Sequence, residues 1–288
     1  MGLTLLNSNN NTYLDDYLSA YPENINLKII YDFFFDFTGN FLDLEFLLGK
    51  ILRNSLDEVI DMPRTQRFSI DELEKTEKTY IGTKVEIVFR DTFELKKGKK
   101  LDLLIGNKEV DVKNTIGSNW TIPIEATDEI CILIQTNDKK SLFSVGLIIC
   151  RERVLNQGKN RDGKRTISKA GKSEILWLIE NGKLPKNFFL HMDQNLRNEI
   201  LSSKGGARRL ATLFRNFKNE IITRRLVECV AHQKDYMKRI RGNGGARDIL
   251  SPEGLRILWG GNNSDKDELK ALGFQGLTAE HFVCIESS

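Results

Sequence analysis

The order of patterns along these 288 residues predicts an α+β protein, with a mixed-sheet first domain followed by a mainly helical second one. Three observations carry that expectation. Apolar residues recur at helical spacing up to about residue 60. Short β-type runs, punctuated by turn residues, crowd into residues 100–150. Helical periodicity then returns after Pro185. Segregated helices and strands of this kind argue for α+β packing rather than alternating βαβ units.

Residues 13–60 read as helical, with apolar stretches at 27–37 and 41–52 broken at Thr38-Gly39-Asn40, before Pro63 stops the pattern. Residues 70–90 predict another helix with Ile81, Val85 and Val88 on its apolar face. The runs 100–105, 109–112, 129–135 and 143–150 read as a mostly antiparallel meander, turned at Gly98, Gly106-Asn107 and Asn137-Asp138. Residues 157–173 are rich in Gly and Lys with little periodicity, either a linker or a loop that touches phosphate. Helices follow at 196–201, 207–217, 223–232 and 236–241, then a strand-like run at 254–258. Three helices with a strand or hairpin fit a helix-turn-helix domain with a wing. The boundaries expected are a first domain at 1–158, a connection at 159–183 and a winged-helix-like domain at 184–288. The tail from residue 260 carries no readable pattern.

The composition excludes several classes. No run of about 18 apolar residues exists to span a membrane. The opening MGLTLLNSNNNTY lacks the regions of a signal peptide, and Leu6 stands where a myristoylation signal wants Ser or Thr. Cys131, Cys150, Cys229 and Cys284 are widely spaced and only three His accompany them, which argues against a zinc cluster or a disulfide scaffold. A reduced, cytoplasmic protein is the expectation. The net charge of +3 conceals a polarity, −7 over residues 1–80 against +13 over residues 151–250. The basic block is either a solvated face or an electrostatic footprint for nucleic acid.

The most informative stretch is LDLLIGNKEVDVKN, residues 101–114. Side chains alternate along a strand, so Asp111 and Lys113 share one face while Val110 and Val112 take the other. The turn at Gly106-Asn107 folds Asp102 back towards them. Two carboxylates and an ammonium then converge where a hard cation and a phosphodiester could meet. Glu86, on the preceding predicted helix, offers a further ligand or a base. Charged hairpins are usually only solvated, so the pattern gains weight from its surroundings.

These residues lie within a longer likeness. KTEKTYIGTKVEIVF, LDLLIGNKEVDVKN, SNWTIPIEA, SVGLI, GKNRDGKRTIS, LPKNFFLH, RRLATLF, DYMKRIRGNGGAR and SPEGLRIL occur in this order over roughly residues 60–260. Together they resemble the NaeI-type (type IIE) restriction endonucleases of the PD-(D/E)xK nuclease group. The resemblance implies that Glu86, Asp102, Asp111 and Lys113 form the active site. Glu86, Asp102 and Asp111 would then hold Mg2+ for hydrolysis of double-stranded DNA. It also implies a catabolite-activator-like second domain that binds a second copy of the recognition site and activates cutting. Leu101 replaces a proline common in the wider group, and Val112 a cysteine expected of this family. A symmetric site cut on both strands calls for a homodimer. A nicking or repair nuclease of the same fold, or a DNA-binding regulator with an inactive nuclease domain, are the alternatives.

The expected DNA contacts are basic. Asn160, Arg161, Lys164 and Arg165 read as a phosphate-contacting segment. Arg208 and Arg209 lie on one predicted helix. Thr223 is a natural N-cap that would put Arg224 and Arg225 in the first turn of the next, where side chains reach base edges. Leu210, Leu213 and Phe214 would pack on Leu226 and Val230; the alternative is a plain helical bundle with exposed arginines. Lys238 and Arg239 follow, and the turn at Gly242, Gly244 and Gly245 would set Arg241 and Arg247 near phosphates. Trp120, with Pro123 and Glu125, is either a loop approaching DNA or a buried anchor. His191, His232 and His281 are assigned no role.

Overall fold

The chain enters helix wherever apolar residues recur every three or four positions. In the computed structural model, which describes residues 10–233 and 235–287, these are α1 (Asn10–Ala20), α2 (Leu27–Thr38) and α3 (Phe41–Ile60). A short α4 (Met62–Thr65) precedes α5 (Lys75–Thr92). Glu74 and Glu77 form a capping box that starts α5 five residues later than the periodicity suggests. Its buried face is Ile81, Val85 and Phe89, with Phe89 in the place expected of Val88. Phe89, Phe93 and Phe34 of α2 meet edge-on or tilted at 4.8–5.6 Å between ring centroids. Such pairs contribute about 1 kcal/mol each beyond burial, and they fix the roll of α5 and so the aim of Glu86.

The strands are β1 (Leu103–Ile105), β2 (Lys108–Thr115), β3 (Thr121–Ile122), β4 (Ile130–Asn137) and β5 (Leu142–Ile149). They continue with β6 (Arg165–Thr166), a short α6 (Lys169–Ser173) and β7 (Leu176–Lys183). Five form one mixed sheet in the order β1-β2-β4-β5-β7, while β3 and β6 pair separately. The β1–β2 turn is the two-residue one expected, with Gly106 at φ +60°. The meander is broken at β2–β4, which run parallel. Parallel pairing needs a crossover of a dozen or more residues, and residues 116–129 supply it. Trp120 lies buried in that crossover and donates from its indole nitrogen to the Ile134 carbonyl at 2.8 Å, anchoring the sheet.

Residues 159–183 depart from their reading as a connection. They contain β6, α6 and β7, and β7 closes one edge of the five-stranded sheet through Leu176, Leu178 and Ile179. The compact unit that contains the sheet comprises residues 10–60 and Ser69–Asn187, and a second comprises Asp61–Phe68 and residues 188–287.

The second unit holds α4 and then α7 (Gln194–Ser202), α8 (Gly206–Asn216), β8 (Ile221–Thr223) and α9 (Arg224–Ala231). After them come α10 (Met237–Ile240), α11 (Ala246–Leu250), β9 (Leu255–Trp259), α12 (Asn263–Ala271) and β10 (His281–Glu286). The tail that showed no pattern supplies the middle strand of an antiparallel sheet, β8-β10-β9. Leu210, Leu213, Phe214, Leu226 and Val230 are all buried, and α8 packs on α9 as expected. The two helices are not joined by a simple turn, because Ile221-Ile222-Thr223 pairs with β10. Thr223 still caps α9, accepting from the Leu226 N–H.

Candidate active site and nucleic-acid interface

The β1–β2 register pairs Leu103 with Val110, so Asp102 falls opposite Asp111 one step further along. Asp102 accepts the Val112 N–H at 2.8 Å, which turns its carboxylate towards β2. Lys113 Nζ lies 2.6 Å from Asp111 Oδ2 and 3.7 Å from Asp102 Oδ2, and it also donates to the Val112 carbonyl at 3.3 Å. Asp102, Asp111 and Lys113 are thus gathered as alternation and the turn foretold.

Asp111 is more deeply set than a solvated hairpin allows, only 4% exposed. Burial pushes its pKa up to about 6 against the pull of Lys113, and Asp102 adds repulsion. Burial also works against the Lys113 ammonium, yet Asp111 and then Asp102 hold its pKa above the ordinary lysine range. At neutral pH the pair is ionised. Glu86 faces this cluster from α5, ion-paired with Arg90 at 3.3 Å. Burial, followed by the Asp102 charge, raises its pKa. Among the described residues no three acidic, histidine or cysteine side chains are drawn together as a ready metal cluster. Glu86, Asp102 and Asp111 therefore amount to a converging pair with a third carboxylate standing off.

Two residues of this site escaped the reading of the sequence. Glu109 accepts the backbone N–H groups of Lys99, Lys100 and Leu101, each at 2.8 Å, and so ties down the loop that delivers Asp102. Those three donors hold the Glu109 carboxyl below its ordinary range. Cys131 pairs with Asp111 across the parallel ladder, its Sγ 3.9 Å from Asp111 Oδ2 and 3.2 Å from Cys150 Sγ. A Glu two positions before Asp111 is a signal that could have been noticed; the Cys131 contact depends on a pairing that no local pattern encodes.

The expected DNA contacts divide. Arg161, Lys164, Arg208, Lys238 and Arg241 are exposed and Arg225 is half-buried. Asn160 shapes its own exposed loop, its side chain accepting the Asp162 and Lys164 N–H groups. Other arginines are engaged inside the protein. Arg165 is buried and bidentate to Glu152, both contacts at 2.7 Å. Arg209 caps the end of α9 through the Val230 and Ala231 carbonyls. Arg247 donates to the Ile257 carbonyl and pairs with Asp265. Arg239 donates to Gln233. Arg224 is exposed but held by Glu228 and Glu280, with its guanidinium over the Tyr236 ring. The glycine turn is a backbone device as expected: a Cβ on Gly245 would meet the Arg241 carbonyl oxygen at 2.0 Å. His232 ends α9 in a left-handed conformation, and His281 accepts the Thr278 N–H.

A family model described as restriction endonuclease NaeI matches residues 46–286. The type II restriction enzyme NaeI of Lentzea aerocolonigenes is 37% identical over 224 residues, covering 75% of this chain and 70% of that protein.

Proposed function

The chain belongs to the NaeI restriction endonuclease family and is a site-specific deoxyribonuclease of type II, and from that premise we propose that Asp102, Asp111 and Lys113 cut both strands of DNA with Mg2+. The observation that carries the site is the convergence of Asp111 and Asp102 on one ammonium, with Asp111 buried and its desolvation offset in part by Lys113.

The donor set suits magnesium, which is typically held by one or two carboxylates together with substrate phosphate and water. Asp102 and Asp111 would hold it, with Glu86 reaching it through water. Bound there, the ion supplies a Lewis acid to a phosphoryl oxygen and lowers the pKa of an attacking water. Lys113, kept protonated by its neighbours, orients that water and offsets charge gathering on the phosphoryl oxygens. Glu86, whose pKa is raised, takes the proton the water gives up.

We assign the unit that contains the five-stranded sheet to cutting, and the second unit to a winged-helix-like domain that binds a further copy of the site and activates cleavage. Support comes from its element order: α8, β8, α9, α11, then β9 and β10, with β10 lying between β8 and β9. Lys238 and Arg241, exposed beside α11, suit phosphate contacts better than the engaged Arg224. Cutting a symmetric site calls for a homodimer.

Digestion of unmethylated DNA of known sequence tests the reading. Discrete fragments that require magnesium are expected. Intact DNA, or nicking without double-strand breaks, would overturn it.

A further inference from the structure

Beyond the catalytic cluster runs a groove of about 630 Å³, walled by α5 on one side and by the end of β2 and the crossover after it on the other. Its residues are Lys75, Lys78, Thr79 and Gly82 from α5, then Asn114, Thr115, Ile116 and Thr121. Both walls prolong the active site. Gly82, Thr79 and Lys75 lie four, seven and eleven positions before Glu86, along one face of the helix. Thr115 follows Lys113 on the same strand face, while Asn114 takes the other face with Val112.

The lining is basic and polar. Among the described residues this groove is lined by two lysines and three threonines and by no acidic side chain. The side-chain oxygen of Asn114 is buried without a hydrogen-bond partner among the described residues, and turning the amide over would offer its N–H donors to phosphate oxygens instead. Gly82 stands mid-helix, where alanine would favour the helix, and a Cβ there would meet nothing within 4 Å. Its missing side chain leaves the groove open. From Gly82 to Lys75 the helix rises roughly 10 Å at 1.5 Å per residue, long enough for Lys75 and Lys78 to reach neighbouring phosphates of one strand.

We propose that this groove seats the sugar-phosphate backbone of the cut strand beside the scissile bond, with Lys75 and Lys78 pairing its phosphates. The proposal rests on the nuclease reading above and adds the surface that places the substrate. None of these side chains touches the reacting atoms; they position the strand. Lys75 is exposed, and Lys78 uses one donor on the Asp71 carbonyl while keeping others available.

The test is single-turnover cleavage of a one-site duplex by the full chain, wild type against Lys75→Ala/Lys78→Ala, over a range of salt. The double variant is expected to fold as the wild type does and to lose roughly tenfold or more in kcat/KM. Its log rate should fall less steeply with log salt, by about 0.9 for each phosphate no longer neutralised. Neutral methylphosphonates placed one at a time beside the scissile bond should slow the wild type at one or two positions and leave the variant unaffected there. Gly82→Leu should melt no lower than the wild type yet cut more slowly. Unchanged kcat/KM and salt slope in the lysine variant, or methylphosphonate penalties that persist in it, would overturn the groove. A wild type that cuts no DNA would overturn the nuclease reading as well, and is told apart because in a failure of the groove alone the wild type cuts and the variant cuts equally.

Discussion

At the scale of single residues, the site is built on an ionised carboxylate that the fold would rather keep neutral. The folded pKa of Asp111 is raised, so its contribution to stability is fully present below its unfolded value near 3.8 and is lost as pH rises through about 6. Measured against Asp111→Asn in chelator, the wild type should therefore lose about 2 kcal/mol between pH 4 and pH 8. Magnesium should restore part of it for the wild type only. Denaturant melts at both pH values check this, and a stability difference that does not change with pH would remove the buried charge from the mechanism. Asp102, Asp111 and Lys113 were legible in the sequence because strand alternation and a two-residue turn are local rules. The intramolecular partners of Arg165, Arg209 and Arg247 could not be read for the opposite reason. An arginine that caps a helix or pairs with a distant glutamate looks, in sequence, like one awaiting phosphate.

At the scale of elements, the least obvious dependence is that of the 99–102 loop on Glu109. With three backbone N–H groups on one carboxylate, Glu109→Ala should let Asp102 drift and lower kcat by roughly ten- to a hundredfold. KM and the melting temperature should change little, and Glu109→Gln should recover part of the rate. Equal rates for wild type and Glu109→Ala would make this clamp incidental. The second unit has a comparable dependence on a segment distant in sequence. Phe68 packs on Phe189 at 4.6 Å with Arg197 over its ring, and α4 packs on α9. Phe68→Ala should cost about 3 kcal/mol, and residues 184–288 made alone should melt lower than when 61–68 are supplied. Helix positions and the β1–β2 hairpin could be read from periodicity and turn residues. The parallel β2–β4 pairing and the place of β7 at the sheet edge could not. The five-residue apolar run 175–179 after a Gly- and Lys-rich segment reads equally as a strand or a buried helix segment, and strand order is decided by which faces are left to bury.

At the scale of the whole molecule, the strongly basic block lies in residues 151–250 while the carboxylates of the site lie outside it. Binding and cutting should therefore separate. If the second unit holds an effector copy of the site, a cognate oligonucleotide added in trans should accelerate cleavage of a one-site plasmid. Lys238→Ala with Arg241→Ala should abolish that acceleration and spare slow basal cutting. An oligonucleotide that never accelerates the wild type would rule out this form of activation. The most direct measurement is of binding and single-turnover cleavage side by side for the wild type, Asp111→Ala and Lys113→Ala. All three should bind cognate duplex in calcium with similar affinity, and in magnesium only the wild type should cut, the variants falling by roughly a thousandfold or more. A variant that cuts at near wild-type rate in magnesium would contradict the assignment of the cluster as the active site.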